Sequence, residues 1–228
     1  MKTVIETNKL HKIFGKGELA VHALNDVSIQ IKEGEFTALV GPSGSGKTTL
    51  LNLIGGLDQA NEGTITLNSC DINTLKKKEM TEFRQKNIGF VFQAYNLIPV
   101  LSAYENAEFI MLLQGISEKI RKKRIYKLLK AVGLEGKENN KPGELSGGQQ
   151  QRVAVVRALA AKPAYILADE PTANLDSKST NDLLDLMYQL NQEEHMTFVF
   201  ATHDQRVIDR AKRVIYLEDG KIIKDEIR

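Results

Sequence analysis

The chain contains one cysteine, Cys70. An internal disulfide is therefore impossible, which fits a reducing compartment. No stretch approaches the roughly 18 uncharged apolar residues that a membrane helix needs. The opening, MKTVIETNKLHKIF, has no apolar core of signal-peptide length. Excess charge of one sign is also missing: 31 Lys+Arg against 29 Asp+Glu leave +2, which argues against nucleic acid or another polyanion as partner. The basic runs Lys76-Lys77-Lys78 and Arg121-Lys122-Lys123-Arg124 read as solvated helix faces rather than a recognition patch. Internal repeats and low-complexity tracts are lacking. These absences point to a cytoplasmic globular protein, with any membrane role coming through a partner.

What is present is ordinary soluble composition, 42% apolar and 26% charged, in 228 residues. That length carries a sizeable core and is read as a single domain, 1–228, with a subdomain. Alternating patterns in VIETNKLHKIF and VHALNDVSIQIKEGE predict half-buried antiparallel strands. Phe36 to Val40 is a short apolar run suited to a buried strand, and Lys47 to Gly56 carries a helical pattern. Thr64 to Leu67, Ile88 to Phe92, Tyr165 to Ala168, Met196 to Ala201 and Val214 to Leu217 read as further strands. RVIYLEDGKIIKDEI reads as a hairpin around Asp219-Gly220.

From about 94 to 161 the pattern turns helical, an inserted subdomain between strands. Ser117 is a candidate N-cap, Ile120, Leu128, Leu129 and Val132 a candidate apolar stripe, and Gly133 a stop. Gly147 to Ala161 reads as a helix. Ser177 is a candidate cap for the helix between the strands at 165 and 196. Buried strands alternating with helices predict a mainly parallel α/β core with an antiparallel N-terminal sheet.

Gly41-Pro42-Ser43-Gly44-Ser45-Gly46-Lys47-Thr48 satisfies G-x-x-x-x-G-K-[ST], with a buried strand before it and a helix after it. The glycines let backbone N–H groups face phosphates, and the helix N-terminus adds its positive dipole end. Lys47 is placed for the β- and γ-phosphates and the Thr48 hydroxyl for Mg²⁺, with Thr49 counted among the nucleotide contacts. A second element, Tyr165-Ile166-Leu167-Ala168-Asp169-Glu170, is a hydrophobic strand ending in acid. A buried parallel strand delivers its last residues to the ligand edge of the sheet. Asp169 is then a candidate Mg²⁺ holder and Glu170 a candidate general base.

The phosphate loop alone fits kinases, GTPases and ATPases. Guanine readers carry N-K-x-D, and Asn8-Lys9-Leu10-His11 and Asn140-Lys141-Pro142-Gly143 both lack the final Asp. Leu145-Ser146-Gly147-Gly148-Gln149 then opens a helix, a second glycine-softened N-terminus of the anion-binding kind. With this segment the chain resembles the ATP-binding cassette family, whose signature is LSGGQ. The resemblance spans essentially the whole chain and implies a P-loop NTPase (RecA-like) fold that binds ATP and Mg²⁺ and hydrolyses ATP. It further implies a head-to-tail homodimer in which Ser146, Gly147, Gly148 and Gln149 cap the nucleotide of the partner.

The same resemblance identifies Gln93 with the Q-loop glutamine, which contacts Mg²⁺ and the attacking water. Asn174-Leu175-Asp176 matches the D-loop at the dimer interface, and His203 the switch histidine that meets the γ-phosphate. Taken singly, Gln93 and His203 read as structural; their order along the chain favours the functional reading. Phe14 matches the aromatic that stacks on adenine, where tyrosine is more usual, and an aromatic in KIFGKG also suits sheet packing.

A DNA-repair cassette inserts a long coiled coil after the Q-loop, but Leu145 follows Gln93 by only 52 positions. A translation cassette has two copies in one chain, and this chain has one. Membrane coupling is favoured by elimination, through an integral permease subunit that holds the chain on the cytoplasmic face of the membrane. VFQAYNLIP and LSAYEN resemble the group serving macrolide export, lipoprotein release and cell division. Tyr95, Leu97, Ile98, Leu101 and Phe109 are candidates for the groove that receives the permease, or else helical core. The chain ends 25 residues after His203, an expectation against the regulatory domain of many importer cassettes. A signalling cassette of the cell-division type remains the alternative.

Overall fold

The computed structural model describes residues 2–228, apart from the side chain of Glu18. Strands β1 (Thr3–Phe14) and β2 (Val21–Lys32) pair antiparallel, and β3 (Phe36–Val40) then enters a second sheet. Helix α1 (Lys47–Ile54) follows. β4 (Glu62–Leu67) and β5 (Cys70–Asp71) return to the first sheet, whose order is β2-β1-β4-β5. Helix α2 (Lys77–Asn87) leads into β6 (Ile88–Val91). Three helices come next, α3 (Ala103–Leu113), α4 (Glu118–Ala131) and α5 (Gly147–Ala160). The chain closes with β7 (Tyr165–Asp169), α6 (Ser177–Glu194), β8 (Thr197–Ala201), α7 (Gln205–Arg210), β9 (Arg213–Glu218) and β10 (Lys221–Ile227).

The second sheet runs β10-β9-β3-β8-β7-β6 and is parallel except for the terminal hairpin of β9 and β10. This is the mainly parallel α/β core with an antiparallel N-terminal sheet that the sequence patterns predict. Alternation along its strands divides the core in two. Phe36, Ile166, Ala168, Phe198 and Phe200 face a cluster shared with the helices α3 to α7. Leu39, Tyr165, Leu167, Val199 and Ala201 face a cluster shared with α1 and the antiparallel sheet. Both faces of these strands are covered, so they read as continuous apolar runs rather than as alternating ones.

Because β3, β6, β7 and β8 run parallel in register, their C-terminal ends fall on one edge. Val40, Val91, Asp169 and Ala201 therefore hand over there to the phosphate loop, Gln93, Glu170 and His203.

Several local expectations are corrected. Helix α6 is capped by Asp176, which accepts from the Ser179 N–H at 2.9 Å, and Ser177 is the first helical residue. Ser117 does occupy the N-cap of α4, as expected, though without a side-chain cap bond. Ile120 is 59% exposed and lies off the buried stripe of Ile125, Leu128 and Leu129. In the second basic run Lys122 and Lys123 are solvated, but Arg121 pairs with Glu108 (2.6 Å) and Arg124 with Glu194 (3.2 Å), all four half-buried.

Candidate functional site

The phosphate loop leaves β3 and wraps the ammonium of Lys47, whose Nζ donates to the carbonyls of Gly41 (2.8 Å) and Pro42 (2.9 Å). Two glycines are obligatory on steric grounds. A Cβ at Gly41 would stand 2.0 Å from the Leu217 carbonyl oxygen. Gly46, at φ +103°, would place one 2.4 Å from the Ala23 carbonyl oxygen, and only glycine adopts that backbone without strain. Gly46 is also the N-cap of α1 and supplies no side-chain acceptor, so the first turn of the helix keeps its N–H groups for an anion. The buried Ser45 hydroxyl has no hydrogen-bond partner among the described residues. An orphaned polar atom in a glycine-rich loop at a helix N-terminus fits a polyphosphate cradle.

The loop lines a cleft of about 780 Å³ together with Val21–Ala23, Gly41–Thr49, Gln93, Glu170, His203 and Asp219. Phe14 stands beside this cleft at the end of β1, paired across the sheet with Val21 and 47% exposed. A second cleft, about 800 Å³, lies where α1 ends against α2 and contains no residue of the phosphate loop.

Asp169 ends β7 against the loop, and the Thr48 hydroxyl donates to its carboxylate at 3.0 Å. Burial pushes the Asp169 carboxyl above its ordinary value, against the Thr48 bond, and the Glu170 charge adds to the rise. A half-buried carboxylate beside a hydroxyl and without a paired cation is a donor set that suits Mg²⁺. That ion takes one or two protein oxygens and completes its shell with water and phosphate. The described residues contain no cluster of three or more His, Cys, Asp or Glu that would hold a metal unaided.

Glu170 adopts a left-handed backbone, φ +43°, which is uncommon for a non-glycine residue. Its N–H still donates to the Ala201 carbonyl (2.9 Å), so the turn is fixed to the end of β8. Both carboxylate oxygens are engaged: Oε1 lies 2.7 Å from Nδ1 of His203, and Oε2 accepts from the Thr202 hydroxyl at 3.1 Å. Thr202 in turn accepts from the Asp204 N–H (3.0 Å), and Asp204 accepts from the Thr172 hydroxyl (2.8 Å). The bidentate Arg206 holds the Asp204 carboxyl down at about 2. Thr202 and Asp204 were absent from the sequence-derived set. Their one signal was adjacency to His203 at a strand end.

Ser146 caps α5 by accepting from the Gln149 N–H (3.3 Å), while Gln149 Oε1 accepts from the Ser146 N–H (3.0 Å). None of Ser146, Gly147, Gly148 and Gln149 lines the cleft of the phosphate loop. Asp176 likewise stays outside it, and the Ser179 hydroxyl and N–H lower its carboxyl. Asn174 Nδ2 donates to the Gln93 carbonyl at 3.1 Å. The segment after Gln93 is held from α5: Arg157 donates to the carbonyls of Tyr95 (3.0 Å) and Asn96 (2.5 Å). Tyr95, Leu97, Ile98, Leu101 and Phe109 are all half-buried, and Leu97 packs on the helical core.

A family model described as ABC transporter matches residues 24–173. The macrolide export ATP-binding/permease protein MacB of Mannheimia succiniciproducens is 45% identical over 97% of the chain. The chain spans 34% of its length. The ABC transporter ATP-binding protein MJ0796 of Methanocaldococcus jannaschii is 45% identical over 98% of this chain and 97% of its own. Its dimeric structure matches with TM-score 0.92, covering 98% of both chains. A dimeric post-hydrolysis state with ADP and Pi matches at 0.91, with 44% identity and the same coverage. The cbiO1 structure from Clostridium perfringens matches at 0.88, with 28% identity, over 100% of this chain and 89% of that one. With a phosphate loop, an acid-ended strand and a signature helix arranged on one such fold, the chain belongs to the ABC transporter family, as one of its ATPase cassettes.

Proposed function

We propose that this cassette is the energy-supplying subunit of a membrane export, release or force-transmitting system. It works as a homodimer with ATP held between two copies and a separate integral permease as partner. The observation that carries the reading is the Glu170 carboxylate, fixed on both oxygens by Thr202 and His203 at the rim of the phosphate-loop cleft.

In this reading the loop Gly41–Thr49 binds the phosphates of ATP, Lys47 exchanging its two carbonyl partners for phosphate oxygens. Phe14 stacks on the adenine. Glu170 takes the proton of the attacking water as the bond between the γ-phosphorus and the ADP oxygen breaks, and His203 and Gln93 align water and phosphate. Thr48 and Asp169, with Gln93, would hold Mg²⁺, which would supply charge neutralisation of the phosphates. The signature residues Ser146 to Gln149 lie outside the cleft of their own chain, which supports their action on the nucleotide of a second copy, with Asp176 at that interface. MJ0796 was solved as a dimer, and cbiO1 is described as part of a transporter complex. No helix among the described residues is long and apolar enough to cross a membrane. In this reading a permease brings the chain to the cytoplasmic face, docking on the helical unit, which we take as residues 94–161.

Glu170→Gln tests the assignment. Steady-state ATPase activity should fall by roughly a hundredfold or more, while ATP binding persists and size-exclusion chromatography with ATP shows a trapped dimer. Turnover within severalfold of the parent would remove Glu170 as the base.

A further inference from the structure

Lys12 has no part in the site described so far. It lies on β1 two residues before Phe14, is 9% exposed, and is held at three points. Its Nζ stands 2.8 Å from the Asp58 carboxylate and donates to the Gln59 carbonyl at 2.8 Å. The same ammonium lies 5.0 Å from the centroid of the Phe14 ring. The turn that fixes it follows directly from α1, the helix of the phosphate loop, and is tied to β1 again where Asn61 accepts from the Ile13 N–H (2.8 Å). The end of β1 is thereby fastened to the far end of the phosphate-loop helix.

We infer that Lys12 is a positioning residue for the base of the nucleotide. It is clamped by Asp58 and Gln59, backs one face of Phe14 with a cation, and fixes the other face as a platform for an electron-rich purine. A cation over an aromatic ring is attracted by the ring quadrupole, most strongly where water is excluded. It draws electron density towards itself and so improves the opposite face for stacking with adenine. The clamp also sets the spacing between the base platform and the phosphate loop. The inference rests on Phe14 as the adenine platform.

Calorimetric titration of the purified chain in EDTA, with ATP and separately with inorganic tripolyphosphate, tests it. Lys12→Met should weaken ATP binding by roughly three- to tenfold and leave tripolyphosphate affinity within about twofold of the parent. Lys12→Arg keeps the cation and suits the Asp58 fork, so it should restore ATP binding. In a Phe14→Ala background, Lys12→Met should add nothing. Equal weakening of both ligands would make Lys12 a support of the phosphate loop and overturn the inference, as would unchanged ATP affinity. If Phe14→Ala alone leaves ATP binding intact, the platform reading itself fails. If Phe14→Ala weakens binding and Lys12→Met does not, only the role of Lys12 fails. Circular dichroism melting shows that each variant is folded.

Discussion

Lys47, buried, and Asp169, half-buried, are two charges handled in opposite ways. Two backbone carbonyls satisfy the lysine, whereas the aspartate is pushed towards protonation by burial and by Glu170, with one hydroxyl donor set against that. An acid whose folded pKa is raised costs stability when ionised, and the cost appears as pH rises through the ordinary value. Asp169→Asn should therefore raise the Tm of the nucleotide-free chain at pH 7. The gain should shrink as pH falls towards 3.8 and vanish below it, where the parent carboxyl is neutral in both states. The same variant should lose most of the thermal stabilisation given by Mg-ATP. An unchanged or lowered Tm without nucleotide would show that the carboxylate is better solvated than its burial implies. At this scale the motif residues were legible because type, spacing and order together are specific. Thr202, Asp204, Arg157 and Lys12 were not, because each is a common residue tied to the site by a partner far along the chain, Glu170, Thr172, Tyr95 and Asp58 respectively.

Elements were legible wherever burial leaves a pattern along the sequence. The strands of the parallel sheet stood out as apolar runs because two separate cores cover their two faces. Helix α2 was foreseen only as a solvated face at Lys76-Lys77-Lys78: it buries no residue fully, so no periodicity marks its extent. Ser177 attracted the cap assignment as a serine before a helical run, yet Asp176 holds the first turn through both the N–H and the hydroxyl of Ser179. That preference has a direct test. Asp176→Ala should speed amide hydrogen exchange in the first turn of α6 by about tenfold, and Ser177→Ala should leave it as in the parent. Faster exchange in the Ser177 variant would return the cap to the serine. Asp176 thus serves its own helix through two bonds within the chain while its position in the D-loop places it, in our reading, at the dimer interface.

For the molecule as a whole, the parallel register collects the phosphate loop, Gln93, Glu170 and His203 at one sheet edge. The helices then carry what the sheet cannot supply, the signature and, in our reading, the surface for a membrane partner. Leu97 already packs on the helical core, so a charge there would unfold as well as undock. Leu101 is half-buried without that role and makes the cleaner probe. Leu101→Asp should release the cassette from membranes of cells making it with its permease, as read by fractionation, with ATP affinity of the purified chain preserved. Retention on the membrane would count against docking at this segment.

The guanidinium of Arg157 grips the two carbonyls just after Gln93, and the helix that bears it begins at the signature. On the docking proposed above, a push delivered to that segment would turn a crank rather than bend a spring. In our reading the stroke would reach Ser146 as a displacement of its whole helix, so one chain's encounter with a membrane subunit would become an adjustment of the grip on its neighbour's nucleotide.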